Sequence, residues 1–347
     1  MELLIYLILF LLVLIVSSTT NKPLPFLPLP LVQILLGIVI GLFLPNTDFH
    51  LNTELFLALV IGPLLFRESE EADITAILKH WRIIVYLIFP VIFISTLSLG
   101  GLAHLLWFSL PLAACLAVGA ALGPTDLVAF ASLSERFSFP KRVSNILKGE
   151  GLLNDASGLV AFQVALTAWT TGAFSLGQAS SSLIFSILGG FLIGFLTAMT
   201  NRFLHSFLLS VRATDIASEL LLELSLPLVT FFLAEEVHVS GIIAVVVAGI
   251  LKASRFKKIT LLEAQVDTVT ETVWHTVNFM LNGSVFVILG MELEMIAEPI
   301  LTNPIYNPLL LLVSLIALTF VLFAIRFVMI YGYYAYRTCL LYTSPSP

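Results

Sequence analysis

Four ionisable side chains stand inside stretches apolar enough to span a bilayer: Asp126, Glu150, Asp155 and Arg326. Each costs about 2.5 to 3.5 kcal/mol to insert, so each needs a partner, a cavity or a task. Asp126 lies in Gly119-Ala120-Ala121-Leu122-Gly123-Pro124-Thr125-Asp126-Leu127. Pro124 removes a backbone donor there and Gly123 loosens the turn before it, which predicts a helix break at Gly123-Thr125. At a break, freed carbonyls and the Thr125 hydroxyl can coordinate a small hard cation. The plainer reading is a proline kink whose carboxylate is satisfied by a neighbour.

The next apolar run carries Gly149-Glu150-Gly151-Leu152-Leu153-Asn154-Asp155-Ala156-Ser157-Gly158. Asp155 follows Glu150 by five residues, about 140° around a helix and about 7.5 Å along it, so the two cannot serve one face. The economical division gives Glu150 a basic partner on another helix, for which Arg326 is the intramembrane candidate, and turns Asn154 and Asp155 toward the break at Asp126. The bland alternative leaves Glu150 solvated at the cytoplasmic interface beside Lys148. A carboxylate in such a site holds either a proton or a cation, and if its exposure alternates between the two sides, that competition alone yields coupled exchange.

The elements that must position these groups follow from composition. Of 347 residues, 59% are hydrophobic and 11% charged, and the mean hydropathy is +1.05, which excludes a water-soluble fold. With about 20 residues needed per crossing, eleven spans consume about 220 positions. The expected architecture is an all-α polytopic membrane protein with spans near 1–16, 31–44, 54–66, 83–106, 110–133, 146–169, 180–200, 215–234, 238–251, 271–291 and 307–335. The first run carries Glu2, no Lys or Arg and no small-residue cleavage site, so it reads as a retained helix rather than a signal peptide. The third is short enough to be tilted or re-entrant.

Charge sorting orients the chain. Lys22, the Arg67, Lys79, Arg82 group, the Arg136 to Lys148 group, Arg202 with Arg212, the Lys252 to Lys258 group and Arg337 all fall in or beside odd-numbered connections or after the last span, and even-numbered connections carry none. The positive-inside rule then places the N-terminus outside and the C-terminus in the cytoplasm. Trp81, Trp107, Trp169 and Trp274 all fall at span ends, as interfacial anchors should. A net charge of -6 with scattered basic residues offers no face for nucleic acid. Cys115 and Cys339 form neither a disulfide framework nor a metal pattern.

Other polar residues carry less. Glu219 and Glu223 share a helical stripe and read as lining a wet or cytoplasmic surface, with gating or a dimer interface as the sharper alternative. His275, Asn278 and Asn282 share another stripe and read as interhelical hydrogen-bonding groups. His104 and Gln163 read as packed polar groups with local partners.

Five segments together resemble the sodium/proton exchanger family, the first class of monovalent cation:proton antiporters. They are Gly62-Pro63-Leu64-Leu65-Phe66-Arg67 with the Lys79 to Arg82 stretch; Gly123-Pro124-Thr125-Asp126; Gly149 to Asp155; His238 to Gly249; and Asn278 to Glu292 leading to Arg326. The Asn-Asp pair after Gly-Glu, twenty-nine residues beyond Thr-Asp, is the specific feature. The resemblance implies a thirteen-helix fold of two inverted repeats, with crossed broken helices and one bundle moving against a dimerising scaffold. It divides the chain into a first repeat at 1–169, a linking helix and loop at 170–214, an incomplete second repeat at 215–337 and an atypical tail at 338–347. It makes Asp155 the ion- and proton-binding carboxylate, Thr125 and Asp126 ligands or polar support at the break, and Asn154 a brace. Asp155 and Thr125 would hold Na+, and Glu150 and Arg326 would form the structural ion pair. It further implies electroneutral exchange of Na+, or Li+ or K+, for H+ by a homodimer in the inner membrane of a bacterium, without a cofactor.

Three departures qualify the match. Leu127 replaces the usual Pro, Gly151 replaces a common Ser, and the helix expected after the eleventh span, with a Gly-Leu-Arg-Gly segment, does not follow, so a C-terminally truncated member is expected. The rivals are an intramembrane aspartyl protease using Asp126 and Asp155, which lacks the Tyr-Asp and Gly-x-Gly-Asp motifs of that class, and a channel, for which no repeated filter segment exists.

Overall fold

Without water to satisfy its backbone, an apolar chain in a bilayer must close its hydrogen bonds locally, and helices do so. The computed structural model describes residues 2–21, 27–43, 52–125, 130, 137–171, 176–211, 215–253, 261–302 and 308–343, and among them every regular element is helical. In chain order these are α1 (Glu2–Asn21), α2 (Leu29–Phe43), and α3 (Thr53–Phe56), which runs through a π turn at Leu57–Ile61 into α4 (Gly62–Glu71). After α5 (Ile74–Lys79), α6 (Trp81–Tyr86) runs through a second π turn at Leu87–Val91 into α7 (Ile92–Leu106), and α8 is Leu112–Leu122. Then come α9 (Lys141–Thr171), α10 (Leu176–Ser210), α11 (Ile216–Glu236), α12 (Gly241–Ala253), α13 (Leu261–Thr302) and α14 (Pro308–Thr343).

Within the described residues, each of the eleven apolar runs overlaps one or more of these helices. Five stretches are long and apolar enough to cross a membrane: Trp81–Leu106, Ile184–Leu208, Ile216–Glu236, Thr268–Leu293 and Pro308–Tyr336. Ile8–Thr20, Leu29–Leu42, Leu112–Leu122 and Gly241–Ala253 are shorter apolar helices. The third run does not stop at residue 66, because its helix continues to Glu71.

The chain divides into two compact units. One comprises residues 1–74, 127–140 and 182–303; the other comprises 75–126, 141–181 and 304–347. In the first, α2 packs on α13 around Val13, Leu14 and Val287. Gly37 and Gly290 face each other at that crossing: a Cβ on Gly290 would collide with the Ile34 carbonyl oxygen, and one on Gly37 with that of Val287. Small residues permit this backbone approach where helix association relies on packing rather than on the hydrophobic effect. The α11–α12 turn is a Schellman motif. The N–H of His238 donates to the Glu235 carbonyl at 2.9 Å and that of Val239 to the Ala234 carbonyl at 3.0 Å, with His238 at φ 57. At the start of α11, a capping box closes the helix end: the Ser218 N–H donates to Asp215 Oδ1 at 2.8 Å and the Asp215 N–H to Ser218 Oγ at 3.3 Å.

In the second unit, α7 packs on α8, α8 on α9, and α14 on α7. One core joins Ile83, Ile84, Leu87, Ile88 and Val91 with Ile146, against Met329 and Tyr333. Another joins Leu99 and Ala103 with Cys115 and Leu318. Pro90 lies inside the second π turn, where the missing proline N–H and the ring's steric demand are absorbed by widening the helix. The outer face of α14 is apolar: Phe320, Phe323 and Phe327 are each about 70% exposed, a surface suited to lipid.

Gly290→Leu should lower the stability of the first unit by about 1–3 kcal/mol through overpacking. Gly101→Ala, with open space around its Cβ position, should leave the detergent melting midpoint unchanged. Relieving the left-handed backbone strain with His238→Gly should stabilise the fold by about 1 kcal/mol, measurable as a raised midpoint.

Candidate functional site

The break in the fifth apolar run begins where proline chemistry predicts. Helix α8 ends at Leu122, and Gly123 donates instead to the Ala120 carbonyl at 3.4 Å, a tightened last turn. Pro124 has no N–H with which to continue the ladder. Gly123 to Thr125 are non-helical, and Asp126 lies outside the described residues.

Helix α9 passes this break with Glu150, Asn154 and Gly158 spaced four apart on one face. Gly158 meets Pro124 so closely that a Cβ there would collide with the Pro124 ring, and at Gly149 a Cβ would lie 2.7 Å from Ile84 Cδ1. Gly158 therefore lets α9 lie directly on the break, and Gly149 lets it approach Ile84. Asp155 follows Asn154 in α9, and its side chain is outside the described set.

Arg326 of α14 ties the two strands of this arrangement together. Its Nη1 donates to Glu150 Oε1 at 2.9 Å and its Nη2 to the Gly123 carbonyl at 2.7 Å. That carbonyl is one of the orphan acceptors every helix end leaves. Glu150 Oε1 also accepts from the Thr125 hydroxyl at 3.3 Å and from Asn154 Nδ2 at 3.4 Å. Asn154 Nδ2 donates in addition to Thr125 Oγ1 at 3.0 Å. Glu150 is 1% exposed and Asn154 fully buried, so the reading of Glu150 as a solvated interfacial group is excluded. Asn154 Oδ1 is buried with no hydrogen-bond partner among the described residues. Thr125, Glu150, Asn154 and Arg326 thus form one connected, charge-neutral network.

A second polar network, inside the other unit, was missed from sequence. Lys252 Nζ on α12 stands 2.7 Å from Glu223 Oε1 on α11 and 3.2 Å from Glu70 Oε1 on α4. Arg67 Nη1 and Nε pair with Glu70 Oε2 at 3.0 Å and Glu71 Oε1 at 2.7 Å, and its guanidinium lies over the Trp274 ring. Trp274 Nε1 donates to Glu223 Oε1 at 3.0 Å. Two expectations are corrected here. Trp274 is 1% exposed, tied down by its indole N–H rather than anchoring an interface. Glu219 faces the His205 ring, with Nε2 3.2 Å from its Oε2, and Glu223 pairs with Lys252, instead of a wet surface. The readable signal was the i+3 and i+4 spacing of Glu70 and Glu71 from Arg67. Asn278 Oδ1 and Asn282 Oδ1 are buried without a hydrogen-bond partner among the described residues, so their stripe does not make the interhelical bonds expected through those atoms. His104 does find a local partner, its Nδ1 lying 3.0 Å from the Leu110 carbonyl oxygen. Among the described residues no cluster of three or more His, Cys, Asp or Glu could hold a metal ion.

Removing one member of a buried ion pair costs about 3–5 kcal/mol because the other charge is stranded. Arg326→Met should therefore destabilise strongly. The Glu150→Gln, Arg326→Met double variant should recover part of the loss, giving a clear coupling energy in a double-mutant cycle of denaturation midpoints.

Comparison with known proteins places this geometry. The family described as the transmembrane sodium/hydrogen exchanger matches residues 7–338. The chain is 35% identical over 327 residues to a sodium, potassium, lithium and rubidium/H+ antiporter of Bacillus subtilis, covering 94% of this chain and 49% of that protein. It is 35% identical over 329 residues to the antiporter of the same description in Bacillus pumilus, again covering 94% and 49%. The chain thus spans about half the length of these curated relatives. In fold it resembles the sodium proton antiporter of Methanocaldococcus jannaschii, with a TM-score of 0.63 at 19% identity, over 84% of this chain and 70% of that one. These relatives are transporters and not enzymes. With the match running almost end to end, this chain belongs to the sodium/hydrogen exchanger family.

Proposed function

We propose that the protein works as a secondary antiporter exchanging Na+, or Li+ or K+, for H+ across a bacterial inner membrane, with Asp155 as the carboxylate for which cation and proton compete. The observation that carries this reading is the charge-neutral pair of the buried Glu150 with Arg326, which also satisfies the Gly123 carbonyl at a broken helix. It gives Glu150 and Arg326 to each other and leaves Asp155, next to Asn154 in α9, as the carboxylate that this reading assigns to the ion. The relatives' names, which specify sodium, potassium, lithium and rubidium, support an alkali cation as cargo.

In this reading each group has a separable part. Asp155 holds either H+ or the cation. Thr125 and Asp126 offer oxygen ligands at the break, suited to a small hard ion. Asn154 braces α9 against Thr125 through the 3.0 Å bond from its Nδ2, and its buried Oδ1 is a further oxygen at the same level. The Arg326–Glu150 pair keeps the break in place without adding net charge, so the charge of the site is that of its binding carboxylates alone. Alternating exposure of a single-occupancy carboxylate then couples the two fluxes with no covalent chemistry. Eleven spans in inverted repeats, an external N-terminus, a cytoplasmic C-terminus, a homodimer and one-for-one electroneutral stoichiometry belong to the same reading.

The test uses the protein reconstituted in proteoliposomes holding a pH gradient. Added Na+ should dissipate the gradient, and Asp155→Asn should reduce this to the level of protein-free vesicles while leaving the melting midpoint near wild type. Initial rates that do not change when the membrane potential is clamped would support electroneutrality. Sodium-driven proton movement that persists in a folded Asp155→Asn protein would sink the assignment of the binding carboxylate.

A further inference from the structure

The second unit contains a recess of about 290 Å³, about two helical turns from the candidate ion site along both α9 and α14, lined by Lys79, His80, Trp81, Arg82, Arg142 and Tyr333 among others. No lining residue is acidic. Lys79 closes α5, Trp81 and Arg82 open the 26-residue helical stretch to Leu106, Arg142 is the second residue of the 31-residue α9, and Tyr333 comes from α14.

The placement of the charges is unusual. Helix N-termini carry partial positive charge and favour acidic residues in the first turn. The helices opening at Trp81 and Lys141 have no acidic residue there and place Arg82 and Arg142 in it instead. Three cationic side chains and the start of a long helix therefore raise the potential in one cavity, a repulsive arrangement that an anion relieves. Its depth is also marked. Trp81 begins one span and Tyr333 lies near the end of another, Pro308–Tyr336, so the recess sits at the level where a bilayer presents its headgroups. Trp81 is 53% exposed there, with the Arg82 guanidinium 5.7 Å from its ring centroid, as suits an aromatic at that boundary.

We propose that this recess is a binding site for a phosphate-bearing anion, carried either by an anionic phospholipid headgroup or by free phosphate. Arg82 and Arg142 supply planar guanidinium groups that match phosphate oxygens bidentately, and Lys79 adds a point charge at the rim. Basic residues that merely sort topology need share no cavity, whereas these three converge on one volume.

The experiment measures lipid retention by native mass spectrometry on the purified full chain, titrated with phosphatidylglycerol, phosphatidylcholine or inorganic phosphate. Phosphatidylglycerol should be retained in preference to phosphatidylcholine. At about 1 kcal/mol per basic residue near a membrane surface, Arg82→Gln with Arg142→Gln should weaken retention about 30-fold, and Arg82→Lys with Arg142→Lys, which keeps the charge and loses the planar fork, should weaken it by less. Retention undisturbed by millimolar phosphate assigns the lipid as source; displacement by phosphate, with phosphate binding on its own, assigns the free ion. If the double variant fails to fold, Lys79→Gln, exposed at the rim, should weaken binding about fivefold by the same constant. Absence of binding by either probe, or retention indifferent to these changes in folded protein, overturns the proposal.

Discussion

One guanidinium governs the architecture of the second unit. Arg326 would be costly anywhere in the interior of a span, yet it answers two local needs at once, the negative charge of Glu150 and the unpaired carbonyl of Gly123. Remove it and the helix end of α8 loses its acceptor's partner while a buried carboxylate loses its counter-charge. Neither loss can be repaired by water in an apolar surrounding. The break, the stripe of α9 facing it and the register of α14 are therefore one construction rather than three.

The same economy recurs without charge at the helix crossings. Gly37 against Gly290 brings two backbones together, and Gly158 seats the Pro124 ring, where no further side chain could fit. In the first unit a charged tie complements them: Lys252 links α12 to α4 and α11, and the Trp274 indole adds α13 to the same junction. Helices too apolar to be sorted by hydrophobic contrast are thus given a specific arrangement by a few close approaches and a few polar ties.

Much of this was legible in the chain. Apolar runs located every long helix, because length and hydropathy decide a span almost by themselves. Pro124 after Gly123 marked the break, since the lost N–H is a covalent fact. Arg326 stood out as a basic residue deep within a run, and its separation of 176 residues from Glu150 mattered little because the choice of partners was so small. Trp274 was misread because an aromatic at the edge of an apolar run looks the same whether it meets headgroups or an internal carboxylate; only the tertiary contact with Glu223 distinguishes them. The Lys252 network was hidden for a related reason. Charges near span ends are normally solvated, and sequence gives no measure of how far a helix such as α4 continues past its apolar part.

The two π turns bear on how faces are counted along a span. Each turn consumes one residue more than an ordinary turn, so positions beyond Val91 are rotated by about 100° from where uniform helical counting would put them. Uniform counting would put Ala103 about 100° round from Ile84, so on the continuous rod from Trp81 to Leu106 the extra residue keeps Ile84 and Leu87, packed with Ile146, on nearly the same side as Leu99 and Ala103, packed with Cys115 and Leu318. One added residue in the winding, rather than a change of direction, is what keeps a single buried face along the whole rod, and deleting a residue there would turn its lower half away from partners that its upper half still holds.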